Sequence, residues 1–184
     1  MARTALLAIA VALLAASASA HAKTPKSVAD LVIANKDNGF GILLEAVLAA
    51  DKSILAALSD PNLKATVFAP TDKAFTVLLK ALGVSKKDLL ANKELLNTVL
   101  KYHVIGKPIK SNQIPFYPGV KVQTLLAGKT GKLSVRRGKA GIVRLLTTSG
   151  SQSAVIPSLA NIRAGKYAIV HGITRVLVPG NKSL

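Results

Sequence analysis

Thr66-Val67-Phe68-Ala69-Pro70-Thr71-Asp72-Lys73-Ala74-Phe75 is the stretch on which the reading of this chain turns. With Ala65 in front of it, a short β-prone run meets Pro70, which has no N–H to give to a ladder. Thr71 can cap a helix with its hydroxyl, and Asp72 places a carboxylate in the first turn, where the helix dipole favours it. Phe75 opens an apolar stripe that Leu78, Leu79 and Leu82 continue, and Gly83 ends it. A buried strand therefore becomes a capped helix within very few residues, and Phe75 is placed to dock that helix into the core.

The chain on either side differs in texture. Upstream, Ser27 and Asp30 form a capping-box pattern ahead of Val28, Leu31 and Val32. Phe40, Leu43, Leu44, Val47 and Leu48 recur at helical spacing. Asp51 or Ser53 then caps a short helix that Asp60-Pro61 ends. Further on, Ser85 to Asp88 is another capping box, and Asn92 starts a helix with Leu95, Leu96, Val99 and Leu100 inward. After Tyr102, short β-branched runs alternate with Gly, Pro and Asn. They are Tyr102–Ile105, Val120–Leu126, Lys132–Arg136, Ile142–Thr147, Lys166–Val170 and Thr174–Val178. Helices followed by strands indicate an α+β fold. No internal repeat or linker interrupts the chain, so one domain over 23–184 is expected, with its core at about 27–179.

The N-terminus reads as a secretory leader. Arg3 precedes the apolar run Ala5–Ala16, and small residues then offer cleavage after Ala20 or Ala22. The run is shorter than the roughly 18 residues of a membrane-spanning helix. Residues 1–22 are expected to be removed, giving a secreted, extracellular chain. No apolar tail follows Val178, so no membrane anchor is expected. Asn181-Lys182-Ser183 matches a glycosylation sequon.

The sequence has 25 Lys+Arg against 8 Asp+Glu. Every acid lies between Asp30 and Glu94, whereas the stretch from Leu95 onward holds 14 Lys+Arg and no acid. Alternation in Lys132-Leu133-Ser134-Val135-Arg136 sends Leu133 and Val135 to one side and the polar residues to the other. Lys121 and Gln123 oppose Val122 in the same way. Arg136-Arg137-Gly138-Lys139 reads as a basic hairpin turn. Lys121, Lys132, Arg136, Arg137, Lys139 and Arg144 are thus candidates for one cationic surface.

Composition excludes several chemistries. There is no cysteine, so thiol catalysis, zinc–thiolate sites and disulfides are ruled out. No His-Glu-x-x-His, Gly-x-Ser-x-Gly or phosphate-loop pattern occurs. An enzyme is not expected, nor is a catalytic residue, metal or cofactor. Nucleic acid is disfavoured as a partner, because 4 Phe and 3 Tyr leave few stacking platforms and the chain is expected to be exported.

Three blocks carry a resemblance to the fasciclin domain family. Thr66 to Phe75 resembles the family's first signature, with Thr66, Phe68, Pro70, Thr71, Asp72 and Phe75 at its marked positions. Leu100-Lys101-Tyr102-His103-Val104-Ile105 resembles its central Tyr-His block. Val170-His171-Gly172-Ile173-Thr174-Arg175-Val176-Leu177-Val178-Pro179 resembles its second signature. The resemblance implies a wedge of β-strands with helices packed along one side. It also implies an extracellular binding module acting in adhesion or in matrix or cell-wall organisation. His103 and His171 would then be structural. Thr174 stands where the family usually has an acid. Leu159-Ala160-Asn161-Ile162-Arg163 stands where adhesive animal members carry an Asp-Ile pair, which weighs against integrin-type adhesion.

Two functions are expected from this combination. The basic half would bind acidic or sulfated polysaccharides or acidic glycoproteins. Alternatively, the chain would be a soluble carrier of a lipophilic ligand such as a carotenoid, as in some algal members of the family.

Overall fold

The computed structural model describes residues 26–180; the expected leader, its cleavage sites and the Asn181 sequon lie outside them. Six α-helices lie among the described residues of the first half. Helix α1 (Val28–Ala34) starts at Ser27, whose hydroxyl accepts the Asp30 N–H at 3.1 Å. Helix α2 (Gly41–Ala49) has Phe40 at its cap, which offers no side-chain acceptor. Asp72 supplies one from across the fold, accepting the N–H groups of Gly41 at 3.3 Å and Ile42 at 2.8 Å. Helix α3 (Lys52–Ser59) gives way at Asp60. Helix α4 (Asp72–Leu82) is capped by Thr71 and closed by Gly83, whose φ of 65° lies in the left-handed region that favours glycine. Helix α5 (Lys86–Ala91) carries the full Ser85/Asp88 capping box. In α6 (Lys93–Tyr102), Asn92 accepts the Leu95 N–H at 3.0 Å.

Among the described residues, eight strands form two sheets. The first has the order β2 (Val104–Ile105), β1 (Thr66–Pro70), β8 (Ala168–Ile173), β7 (Ile162–Ala164), with β1 and β8 parallel. The second is an antiparallel meander of β3 (Val120–Gln123), β4 (Lys132–Arg137), β5 (Val143–Leu146) and β6 (Gln152–Ala154). A bridge between Val155 and Ile173 joins the sheets.

The first sheet is covered on both faces, which is why β1 and β8 are buried throughout. Val67, Ala69 and Val170 join the helix-side core with Phe75, Leu96 and Val28. Phe68 and Ile173 point the other way, into a second core with Tyr102, Leu133, Val135, Val143 and Leu145. The architecture is the expected α+β wedge with helices along one side.

Several boundaries differ from the sequence reading. Pro70 belongs to β1 and pairs with Ile173. It lies past the end of β2, so its missing N–H deprives no neighbour on that edge. Tyr102 ends a helix instead of opening a strand. Strand β3 stops at Gln123, because Thr124 turns to bond Gly131 through both its N–H and its hydroxyl. The run expected at Lys166–Val170 lies later, at Ala168–Ile173. Thr174–Val178 is not a strand; its N–H groups go to Ala154, to the Ser153 hydroxyl and to the His103 ring instead of a ladder. Strands β6 and β7, three residues each, were not expected.

Candidate functional site

The signature residues act as staples between layers. The Thr66 hydroxyl donates to the Lys107 carbonyl at 2.6 Å and accepts the Ile109 N–H at 2.7 Å. The Phe68 ring stacks on His171 with centroids 5.8 Å apart. The Tyr102 hydroxyl donates to the Lys132 carbonyl at 2.8 Å and accepts the Thr148 N–H at 3.2 Å. Phe75, Val170 and Val176 sit in the helix-side core, and Leu177 in the second. Pro179 is buried at the end of the second signature.

The two signature histidines, His103 and His171, are fully used in this way. His103 Nδ1 lies 2.7 Å from the Val99 carbonyl, which can only accept, so Nδ1 carries the proton. Its Nε2 accepts the Leu177 N–H at 2.9 Å. His171 is the mirror case, with Nε2–H donating to the Ile109 carbonyl at 3.0 Å and Nδ1 accepting the Asn161 N–H at 3.2 Å. Burial pushes the His103 pKa down to about 4, opposed by the Val99 bond. Burial also lowers that of His171, opposed by the Ile109 bond. Each ring is held neutral with both nitrogens occupied. Among the described residues, no group of three or more His, Asp or Glu could hold a metal.

The structure brings four of the six candidate cations to one face. Register pairs Lys121 with Ser134, Gln123 with Lys132, Arg136 with Arg144, and Leu146 with both Ser134 and Gln152. Paired residues share a side, so Lys121, Lys132, Arg136 and Arg144 all lie on the face turned away from the second core. A groove of about 490 Å³ runs over it, lined by Lys121, Arg136 and Arg144 with Val120, Ser134 and Leu146. No carboxylate among the described residues pairs with these cations. Lys139 is exposed at the tip of the β4–β5 turn, beyond this face. Arg137 does not join the group. Strand β4 continues one residue further than expected, and alternation turns Arg137 to the opposite side, half-buried, with its guanidinium carbon 4.0 Å from the Phe116 ring centre. Its Nε is buried without a hydrogen-bond partner among the described residues.

A second concavity lies on the helical side. About 350 Å³ opens between α1, α2, α3 and the first sheet, lined by Val32, Val47, Ile54, Leu58, Val67 and Leu100. Its wall is almost wholly apolar, with His103 and Lys101 as the polar exceptions apart from Ser53. No sequence signal marks this cleft, since its residues read only as helix stripes and strand. The groove's aromatic neighbours, Phe116 and Tyr117, were also missed. Their place between Pro115 and Pro118 was the available signal, because such a segment cannot enter a helix or a central strand.

Comparisons with known proteins bear on the whole arrangement. No curated protein sequence matches the chain. Among solved structures, it is similar to a FAS1 domain pair from the insect cell adhesion molecule fasciclin I, at 18% identity and a TM-score of 0.57. That match covers 77% of this chain and 46% of the other, so the chain spans about half the length of the solved one. At this identity the likeness carries the fold. The family model of the fasciclin domain matches residues 38–179, a span that takes in the strand–helix junction at Pro70, the Tyr102-His103 staple and the His171 block. By that match, the chain belongs to the fasciclin domain family.

Proposed function

We propose that this chain is a secreted extracellular binding protein that presents the outer face of its second sheet to an anionic extracellular polymer, an acidic or sulfated polysaccharide or an acidic glycoprotein. Fasciclin domains are adhesion-type extracellular modules. The observation that carries the reading is the cross-strand pair Arg136–Arg144, in one groove with Lys121, with no carboxylate among the described residues paired to it. Like charges directly opposite on a sheet cost stability. A bound anion removes that cost and adds charge-assisted hydrogen bonds to two guanidinium forks. The role is one of binding without catalysis, and the occupied ring nitrogens of His103 and His171 support it.

The test is charge reversal at Lys121, Arg136 and Arg144 together, read as the salt needed to elute the protein from an immobilised sulfated polysaccharide. Elution should move to clearly lower salt while melting stays within about 1 kcal/mol of the parent. Reversal of Lys52, Lys80 and Lys87 on the helices is the control; Lys86 is left out because it pairs with Glu45 at 2.8 Å. Equal loss from both triple variants would reduce the face to nonspecific net charge.

The apolar cleft favours a second reading, carriage of a lipophilic ligand such as a carotenoid. Its volume of about 350 Å³ falls at the lower end of ordinary ligand pockets. A visible absorption band in the native protein, lost when Ala57→Trp fills the cleft, would support it; a colourless protein that takes up no added carotenoid would remove it.

A further inference from the structure

The cationic face ends against a turn that its charge does not explain. Phe116 is 50% exposed and Tyr117 is 83% exposed. Two neighbouring exposed aromatics form the kind of apolar surface that marks a contact site. The turn is firmly attached. The Arg137 N–H bonds to the Pro115 carbonyl at 2.9 Å, and the Gly119 N–H to the Phe116 carbonyl at 3.0 Å. The Arg137 guanidinium lies over the Phe116 ring. Gly119, at φ +86°, passes so close to β4 that a Cβ there would sit 2.8 Å from that of Arg136. Tyr117 thus stands two residues ahead of the glycine that lies against Arg136, and next to Pro118 at the groove's edge. Pro118 and Val120 continue from it into the groove, where they line the wall with Leu146, Ser134 and Gln152.

The surface therefore combines a flat exposed ring, apolar patches, a hydroxyl, an amide and three cations. A pyranose ring answers each of these. Its C–H face is apolar and slightly positive, and lies on the negative face of an aromatic ring. Its hydroxyls suit Ser134 and Gln152, and an acid substituent suits the arginine forks. A polypeptide of Asp and Glu offers the charge without the ring. Single-stranded nucleic acid stacks successive bases on successive platforms, and here Arg137 occupies one face of Phe116.

We infer that Tyr117 and the groove beside it form a sugar-stacking subsite, and that the polymer bound is a polysaccharide with acidic groups on its sugars. This rests on the cationic-face reading and narrows it. Arg137 is a positioning residue that holds the turn.

The test uses the whole chain against polygalacturonate, polyglutamate and a single-stranded oligothymidylate at one salt concentration, with Tyr117→Ala and Tyr117→Phe. Polygalacturonate should bind in preference to the other two. Tyr117→Ala should weaken it about tenfold, Tyr117→Phe less than about twofold, and neither should change polyglutamate binding or the melting temperature. Equal weakening of both acidic polymers by Tyr117→Ala, or of neither, would overturn the subsite, as would tighter binding of the oligothymidylate than of polygalacturonate. If the parent protein binds none of the three, the cationic-face reading falls as well.

Discussion

His103 sits at the handover from α6 to β2 with its ring wholly inside the protein. Its neutral form is required twice over, because one nitrogen must donate to Val99 and the other must accept from Leu177. A second proton would point an N–H at an N–H. The unfolded chain has no such constraint and takes up that proton near the ordinary histidine pKa of about 6.5. The folded chain resists until about pH 4. Between these values the unfolded state binds more protons, so stability falls as pH falls. For His103 the full loss is about 3 kcal/mol, and His171 adds to it in the same direction. Urea unfolding from pH 7.5 to 4.5 should show this acid limb. His103→Ala should unfold more easily at pH 7.5, because it orphans the buried Leu177 N–H at a cost of about 1–3 kcal/mol. Its acid limb should be shallower than the parent's; an unchanged slope would place the proton uptake elsewhere. The position of His103 at a helix end was legible in Leu100–Ile105. Its partner 74 residues away was not, since no local pattern encodes a long-range bond.

Helix α2 lacks a cap of its own and borrows one from α4. Asp72 was legible as a first-turn residue of α4, but the α2 amides it accepts lie about 30 residues earlier in the chain. Asp72→Ala should therefore loosen α2 as well as its own helix, costing about 1–2 kcal/mol in urea unfolding. Thr71→Ala removes only a long 3.4 Å bond and should cost less. Among the strands, β4 and β5 were readable from apolar alternation. Strands β6 and β7 were not, because Gln152-Ser153-Ala154 and Ile162-Arg163-Ala164 are strands only through their neighbours. The β4–β5 pair also makes a prediction that needs no ligand. Opposed guanidiniums on Arg136 and Arg144 repel, so Arg144→Gln should stabilise the protein by up to about 1 kcal/mol at low ionic strength. The gain should shrink at high salt as screening shortens the reach of charge. A destabilised Arg144→Gln variant would mean that the pair is already neutralised.

Across the whole molecule, the first sheet belongs to two cores at once. Successive residues of β1 alternate between them, as Val67 and Ala69 face the helices while Phe68 faces the second sheet. The C-terminal segment repeats the division with Val176 and Leu177. Neither core can be lost while the other stays intact, because losing either strips one face of the same strands. The domain should then unfold in a single transition. Two probes can separate the cores. Far-ultraviolet circular dichroism reports the helices. Tyrosine fluorescence reports the second core through Tyr102, since Tyr117 and Tyr167 are exposed. Phe75→Ala empties the helix-side core and should cost about 3–5 kcal/mol. Leu145→Ala empties the other and should cost about 2–5 kcal/mol. Each substitution should lower both signals together, although the residue removed lies under only one of them. The double variant should lose the sum within about 0.5 kcal/mol, because the two residues lie in different cores. If Phe75→Ala shifted the dichroism transition and left the tyrosine transition in place, the sheets would stand without the helices, and the shared sheet would not be what couples the two halves.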